Sequence, residues 1–222
     1  MVSGFLRGGL LRPNSIHTSA NAKWYRAGGA SAPVFAYTFK GAASQAASLV
    51  NLANPGTYDL AAGSASTWAA ATGLTFDGVG QYYTTGATPA ANWTLAIRFS
   101  NATNADRYFC GASDGTKNFG FSRISSSGGK ISYWNGGNNQ VAPTIAAGVL
   151  IVAAGDCYRN GVADGTIASP NTPTTRTIYL GCLNFNATAS FFMACNILAF
   201  AGWSSKLDST MAPAVATAMA AL

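Results

Sequence analysis

The 222-residue chain contains no glutamate, and its seven acidic residues are all aspartates. Charged side chains make up only 9% of it, where a quarter is usual. Histidine occurs once, at His17. Each of these gaps excludes a chemistry. Glycoside hydrolysis of the usual kind needs two carboxylates flanking the scissile bond, and no two aspartates here lie closer than eight positions apart. A Ser-His-Asp triad would have to recruit His17, and the chain has no Gly-x-Ser-x-Gly elbow and no phosphate loop. The four cysteines, Cys110, Cys157, Cys182 and Cys195, lack the close pairs of a zinc site. Asp106 and Asp114 flank a loop, but two carboxylates without a dense acidic loop do not make a calcium site. The chain therefore reads as non-enzymatic, with no metal and no cofactor. No window approaches ~20 uninterrupted apolar residues, so no membrane insertion is expected. The scarcity of Glu and Lys also argues against a helical protein.

What charge there is falls unevenly. Before Asp59 there is no acid, but there are Arg7, Arg12, Lys23, Arg26 and Lys40. From Asp59 onward, eight basic residues face seven acids, so the first 58 residues carry most of the net charge of +6. Five charges spread this thinly form no dense basic patch, and nucleic acid is not an expected partner. Residues 1–33 lack sustained periodicity and read as an extended arm. Within it, Trp24 and Tyr25 have no strand context and suit contact with a neighbouring surface.

From residue 34 the pattern changes. Residues 34–39 alternate, and so do residues 92–100, where Trp93, Leu95, Ile97 and Phe99 share one face and Thr94, Ala96 and Arg98 the other. Asp77-Gly78 and Asn160-Gly161 stand beside strand-like residues, and such steps favour tight hairpins. Further strands are expected at 107–111, 118–123, 130–134, 149–154, 156–159, 177–183 and 194–203. At the end, Met211, Val215, Met219 and Leu222 recur at helical spacing, with Asp208 or Ser209 as cap and Pro213 in the first turn.

Five of these segments, in order, resemble the laminin-G-like and concanavalin A-like jelly rolls. They are Phe76-Asp77-Gly78 with Tyr82-Tyr83, the Trp93–Phe99 strand, Tyr158-Arg159-Asn160-Gly161-Val162, Ile178-Tyr179-Leu180-Gly181, and Ile197-Leu198-Ala199-Phe200 with the closing helix. The resemblance covers roughly residues 34–222 and implies an all-β fold. That fold is a two-sheet antiparallel jelly-roll sandwich with an extended N-terminal arm (1–33) and a short C-terminal helix. The Ala-, Gly- and Asn-rich texture is similar to that of small virion-associated proteins of bacteriophages. That likeness implies a structural role in a phage particle, as capsid decoration or a head or tail fibre component. The arm would dock on other virion proteins through Arg7, Arg12, Trp24, Tyr25 and Arg26. The alternative is a secreted or surface carbohydrate-binding module. Sugars offer apolar faces to aromatic rings and hydroxyls to amides, and Tyr133, Trp134, Asn135, Asn138 and Asn139 supply both on an expected loop. Surface glycans and a second copy of the chain are the remaining expected partners.

Overall fold

Period-two alternation sorts most of the chain into two packed sheets. The computed structural model describes residues 23–103, 106–124, 130–141, 145–168 and 174–222. After a 3-10 turn at Trp24–Gly29 come β1 (Phe35–Thr38), the single helical turn α1 (Gln45–Ser48), β2 (Ala61–Ser64), β3 (Thr67–Ala69), β4 (Gly73–Asp77) and β5 (Tyr82–Thr84). The middle of the chain forms β6 (Thr94–Ser100), β7 (Arg107–Ser113), β8 (Asn118–Ile124), β9 (Lys130–Asn135) and β10 (Gly137–Val141). Then follow β11 (Gly148–Ala153), β12 (Asp156–Arg159), β13 (Val162–Thr166), β14 (Tyr179–Leu180), β15 (Leu183–Phe185) and β16 (Thr188–Ser190). The long β17 (Ala194–Trp203) and helix α2 (Met211–Ala220) close the chain.

The first sheet runs β13-β12-β11-β6-β17-β4-β3, with β1 also on β17. The second runs β10-β9-β8-β7-β14-β5-β2, with the β15–β16 hairpin beside β7. Neighbours pair antiparallel, except that β15 lies parallel to β7. The all-β sandwich expected from the sequence is thus the observed fold. Its inner faces meet in a core of aromatic and aliphatic side chains. Phe35, Tyr37, Leu95, Ile97, Phe99 and Phe200 come from the first sheet, and Phe109, Phe119, Phe121 and Tyr133 from the second. Phe99 and Phe109 touch across the gap with ring centroids 4.3 Å apart. Each such side chain contributes about 1.5–3 kcal/mol on burial.

The outer face of the first sheet is covered as well. Ala36, Ala96, Ala199 and Ala201 keep it low, and α2 lies on it through Ala212, Val215, Ala216 and Met219. The Asp208 carboxylate accepts from the N–H groups of Thr210 and Met211, both at 2.8 Å, and so closes the start of the helix. Arg98 donates to the Met219 carbonyl at the other end, where a cation suits the helix dipole. Trp24 and Tyr25 complete the cover, at 6% and 5% exposure. Trp24 Nε1 donates to Thr38 Oγ1 at 2.9 Å and the Tyr25 hydroxyl to the Leu52 carbonyl at 3.0 Å. Residues 23–33 of the expected arm therefore pack on their own sandwich, because two large rings gain more from an alanine-lined face than from solvent.

Of the two turn steps, Asn160-Gly161 forms the expected hairpin. Arg159 pairs with Val162, and both turn residues have positive φ, 51° and 81°. Asp77-Gly78 does something else. It leads from β4 in the first sheet to β5 in the second. Its carboxylate accepts from the Val79 N–H at 2.8 Å, and this Asx turn carries the chain around a corner between sheets.

Candidate functional site

Among the described residues, no helix lies over the outer face of the second sheet. Register decides which side chains stand there. Trp134 pairs with Gly120 and Asn138, and Ser122 pairs with Ser132 and with Tyr108. Gly111 pairs with Gly120 and with Tyr179, and Tyr179 with Thr84. Directly paired residues share a face, so Asn138, Trp134, Ser122, Tyr108, Tyr179 and Thr84 all point outward.

The aromatic members touch in a row. Trp134 and Tyr108 have centroids 6.3 Å apart, Tyr108 and Phe191 6.2 Å, and Phe191 and Phe185 6.5 Å. Trp134 Nε1 donates to Ser122 Oγ at 2.9 Å, which fixes the indole on the sheet. Burial pushes the Tyr108 hydroxyl up to about 12, against the opposing effect of its bond with Ser122, so this phenol is neutral at physiological pH. Phe185 and Phe191 are 40% and 46% exposed. Together with Tyr108 they line a groove of about 300 Å³, which Asp106, Arg107 and Asn118 supply with polar atoms. An open apolar floor with a few converging polar groups suits a small ligand that has both kinds of surface.

The sequence-expected residues divide. Trp134 lies in the row, and Asn138 is exposed beside it. Tyr133 and Asn135 are fully buried. The Tyr133 hydroxyl donates to Asp164 at 2.8 Å, and Asn135 Nδ2 donates to the Ala154 carbonyl at 2.7 Å. Adjacent strand residues face opposite ways, so Tyr133 and Asn135 belong to the interior and cannot meet a ligand on this face. The stretch is also not a loop. Strands β9 and β10 continue through it, and only Gly136 turns, with φ 78°. The Asn139 side chain, and Arg7 and Arg12, lie outside the described residues. Arg26 is exposed beside the buried Trp24 and Tyr25. A second cleft, of about 520 Å³, opens there between Lys23, Trp24, Thr38 and Leu52. Sequence reasoning missed Tyr108, Phe185 and Phe191, which are scattered over 84 positions; only cross-strand register brings them together.

The four cysteines are buried and form no disulfide among the described residues. Burial raises the Cys110, Cys182 and Cys195 thiols, Cys182 to about 12, which leaves them protonated and unreactive. Asp114 spends one carboxylate oxygen on its own turn, accepting from Thr116 N at 3.0 Å and Lys117 N at 2.8 Å. Those two N–H groups, that of Lys117 first, hold its carboxyl below the usual carboxylate range. Among the described residues no group of three or more His, Cys, Asp or Glu side chains could hold a metal, and no helix is long and apolar enough to cross a membrane.

A β-sandwich with one helix-covered face and one open aromatic face is the class of protein that fold and site define. No protein-family model matches the chain, and no curated protein sequence matches it. Solved structures that share the fold include Trypanosoma rangeli sialidase in complex with 2-keto-3-deoxy-D-glycero-D-galacto-2,3-difluoro-nononic acid, with 13% identity and a TM-score of 0.59. The same sialidase with 2,3-difluorosialic acid, described as the covalent intermediate, gives 14% and 0.58. Each alignment covers 85% of this chain and 33% of the sialidase chain. This chain thus spans about a third of the sialidases it matches, and at these identities the likeness is one of fold. The CBM40 of Ruminococcus gnavus IT-sialidase bound to α2,3 sialyllactose aligns with 58% of this chain and 83% of its own. Its identity is 14% and its TM-score 0.45, too low to carry weight here.

These neighbours correct one expectation. The sequence reads as non-enzymatic because it lacks paired carboxylates, yet the sialidases that share its fold are enzymes. Sialidases also depart from the two-carboxylate scheme, using a tyrosine nucleophile. The missing glutamate therefore does not exclude catalysis. The phage-particle role gains no support from these neighbours.

Proposed function

We propose that this sandwich is a carbohydrate-binding domain that seats a glycan on the open outer face of its second sheet. The observation that carries this reading is the aromatic row Trp134, Tyr108, Phe191 and Phe185, of which the last three line a groove together with Asp106, Arg107 and Asn118. A pyranose ring has an apolar face that packs on an aromatic ring and an equatorial belt of hydroxyls that needs donors and acceptors. Exposed aromatic patches with a polar rim mark ligand surfaces more often than idle surface. Such a domain works extracellularly or at a cell surface, where glycans are displayed.

A glycan array followed by calorimetric titration of the best-bound glycan tests the proposal. Wild-type protein binds, and Trp134→Ala and Phe191→Ala each weaken binding about tenfold, equivalent to about 1.4 kcal/mol. A blank array, or variants that bind like wild type, would overturn it.

A further inference from the structure

The same face carries a second aromatic group. Tyr82 and Tyr179 stack with centroids 5.0 Å apart and rings inclined at 27°. Phe192 leans on Tyr82 at 6.3 Å. Tyr82 lies flat because its neighbour is glycine: a β-carbon at Gly63 would sit 2.0 Å from the ring. The strands involved are contiguous. From Trp134 on β9 through β8, β7 and β14 to Tyr82 on β5, the face is about 19 Å wide at the usual spacing of about 4.8 Å per strand.

Phe191 and Phe192 join the two groups. Phe191 contacts Tyr108 and Phe185, whereas Phe192 contacts Tyr82. Phe191 has φ 57°, a left-handed conformation that a bulky residue rarely takes. Strain of this kind costs about 1–3 kcal/mol and persists where the surroundings impose it. Here the Phe191 carbonyl accepts from the Tyr108 N–H at 3.0 Å, Phe192 bridges to Tyr108, and the Met193 N–H donates to the Gly181 carbonyl at 2.9 Å. The strained residue is also one of the most exposed large apolar side chains of the described chain, at 46%. A backbone held in this way turns two consecutive rings toward two separate platforms.

We infer that the Tyr82–Tyr179 stack is a second sugar subsite, and that the face takes a linear oligosaccharide laid across β9 to β5, with Phe191 and Phe192 between the subsites. The inference rests on the carbohydrate-binding reading and adds ligand length and direction to it. A pyranose unit is about as long as one strand spacing is wide, so a single sugar fills one platform and leaves the other empty. Stacking on both platforms requires a chain of several units.

The test is calorimetric titration with cello-, xylo-, manno- and chito-oligosaccharides, each from disaccharide to hexasaccharide. In the series that binds, affinity rises at least tenfold from disaccharide to hexasaccharide. In Tyr82→Leu and Tyr179→Leu, which keep apolar volume and remove the aromatic face, the hexasaccharide binds no better than the disaccharide. Trp134→Ala weakens short and long ligands alike. Affinity that is flat with length, or leucine variants that keep the full gain, would overturn the second subsite and leave the first intact. No binding in any series, together with a blank array, would overturn the carbohydrate reading itself.

Discussion

On the outer face of the first sheet stand Ala36, Ala96, Ala199 and Ala201, and a helix lies on them. On the outer face of the second stand Tyr82, Tyr108, Trp134 and Tyr179, and no helix among the described residues covers them. Both faces belong to one sandwich and share one core, so side-chain size separates their fates. Alanines let α2 approach closely and bury its Val215 and Met219. Large rings would hold a helix off, and they are themselves half-buried by their neighbours in the row. One face serves stability, and in the proposed reading the other keeps its apolar area for a ligand.

If that division holds, substitutions on the two faces should fail in different assays. The largest effect is expected from Trp203→Ala. Trp203 is fully buried under the first sheet's cover and donates to the Ser31 carbonyl at 3.1 Å. Its loss should cost about 3–5 kcal/mol in urea unfolding, while the protein that remains folded binds glycan as before. Trp134→Ala should do the reverse. Stability falls by about 1 kcal/mol, from the lost bond to Ser122, and glycan binding weakens about tenfold. Equal losses of stability in the two variants would erase the distinction.

The smallest effect concerns the helix that makes the covered face possible. The N–H groups of Met211 and Thr210 hold the Asp208 carboxyl below the usual carboxylate range. A depressed folded value means that the contribution is present above the unfolded pKa, about 3.9, and is lost as pH falls through the lower folded value. The melting temperature of wild type should therefore exceed that of Asp208→Ala slightly at neutral pH, and the two should converge in strong acid. A gap that widens in acid would contradict the sign.

Much of the sandwich was legible because its signals are local. The alternation of Trp93, Leu95, Ile97 and Phe99 needs no partner to be read, and these residues are buried in the core. The Asn160-Gly161 hairpin and the closing helix are equally self-contained. Asp77-Gly78 shows the limit: the dipeptide specifies a bend, but only the packing of two sheets decides whether the chain reverses in one sheet or passes to the other. The site was harder to read for the same reason. Period two already separates Trp134 from Tyr133 and Asn135, so those two could have been assigned to the interior from sequence. Tyr108, Phe191 and Tyr179 could not have been grouped. Their neighbours follow from strand order and from the register shift between Tyr108 and Cys110 in the β7–β8 pair. Trp24 and Tyr25, read as rings for a partner, cover alanines that lie distant in sequence.

The proposed binding surface is the open aromatic face and not the cleft beside Trp24. Amide chemical-shift mapping during titration with the glycan selected on the array tests this most directly. Perturbed amides are expected to cluster at Tyr108, Ser122, Trp134 and Phe191, and to extend to Tyr82 and Tyr179 as the ligand lengthens. Shifts concentrated at Lys23, Trp24, Thr38 and Leu52, with the second sheet silent, would contradict it.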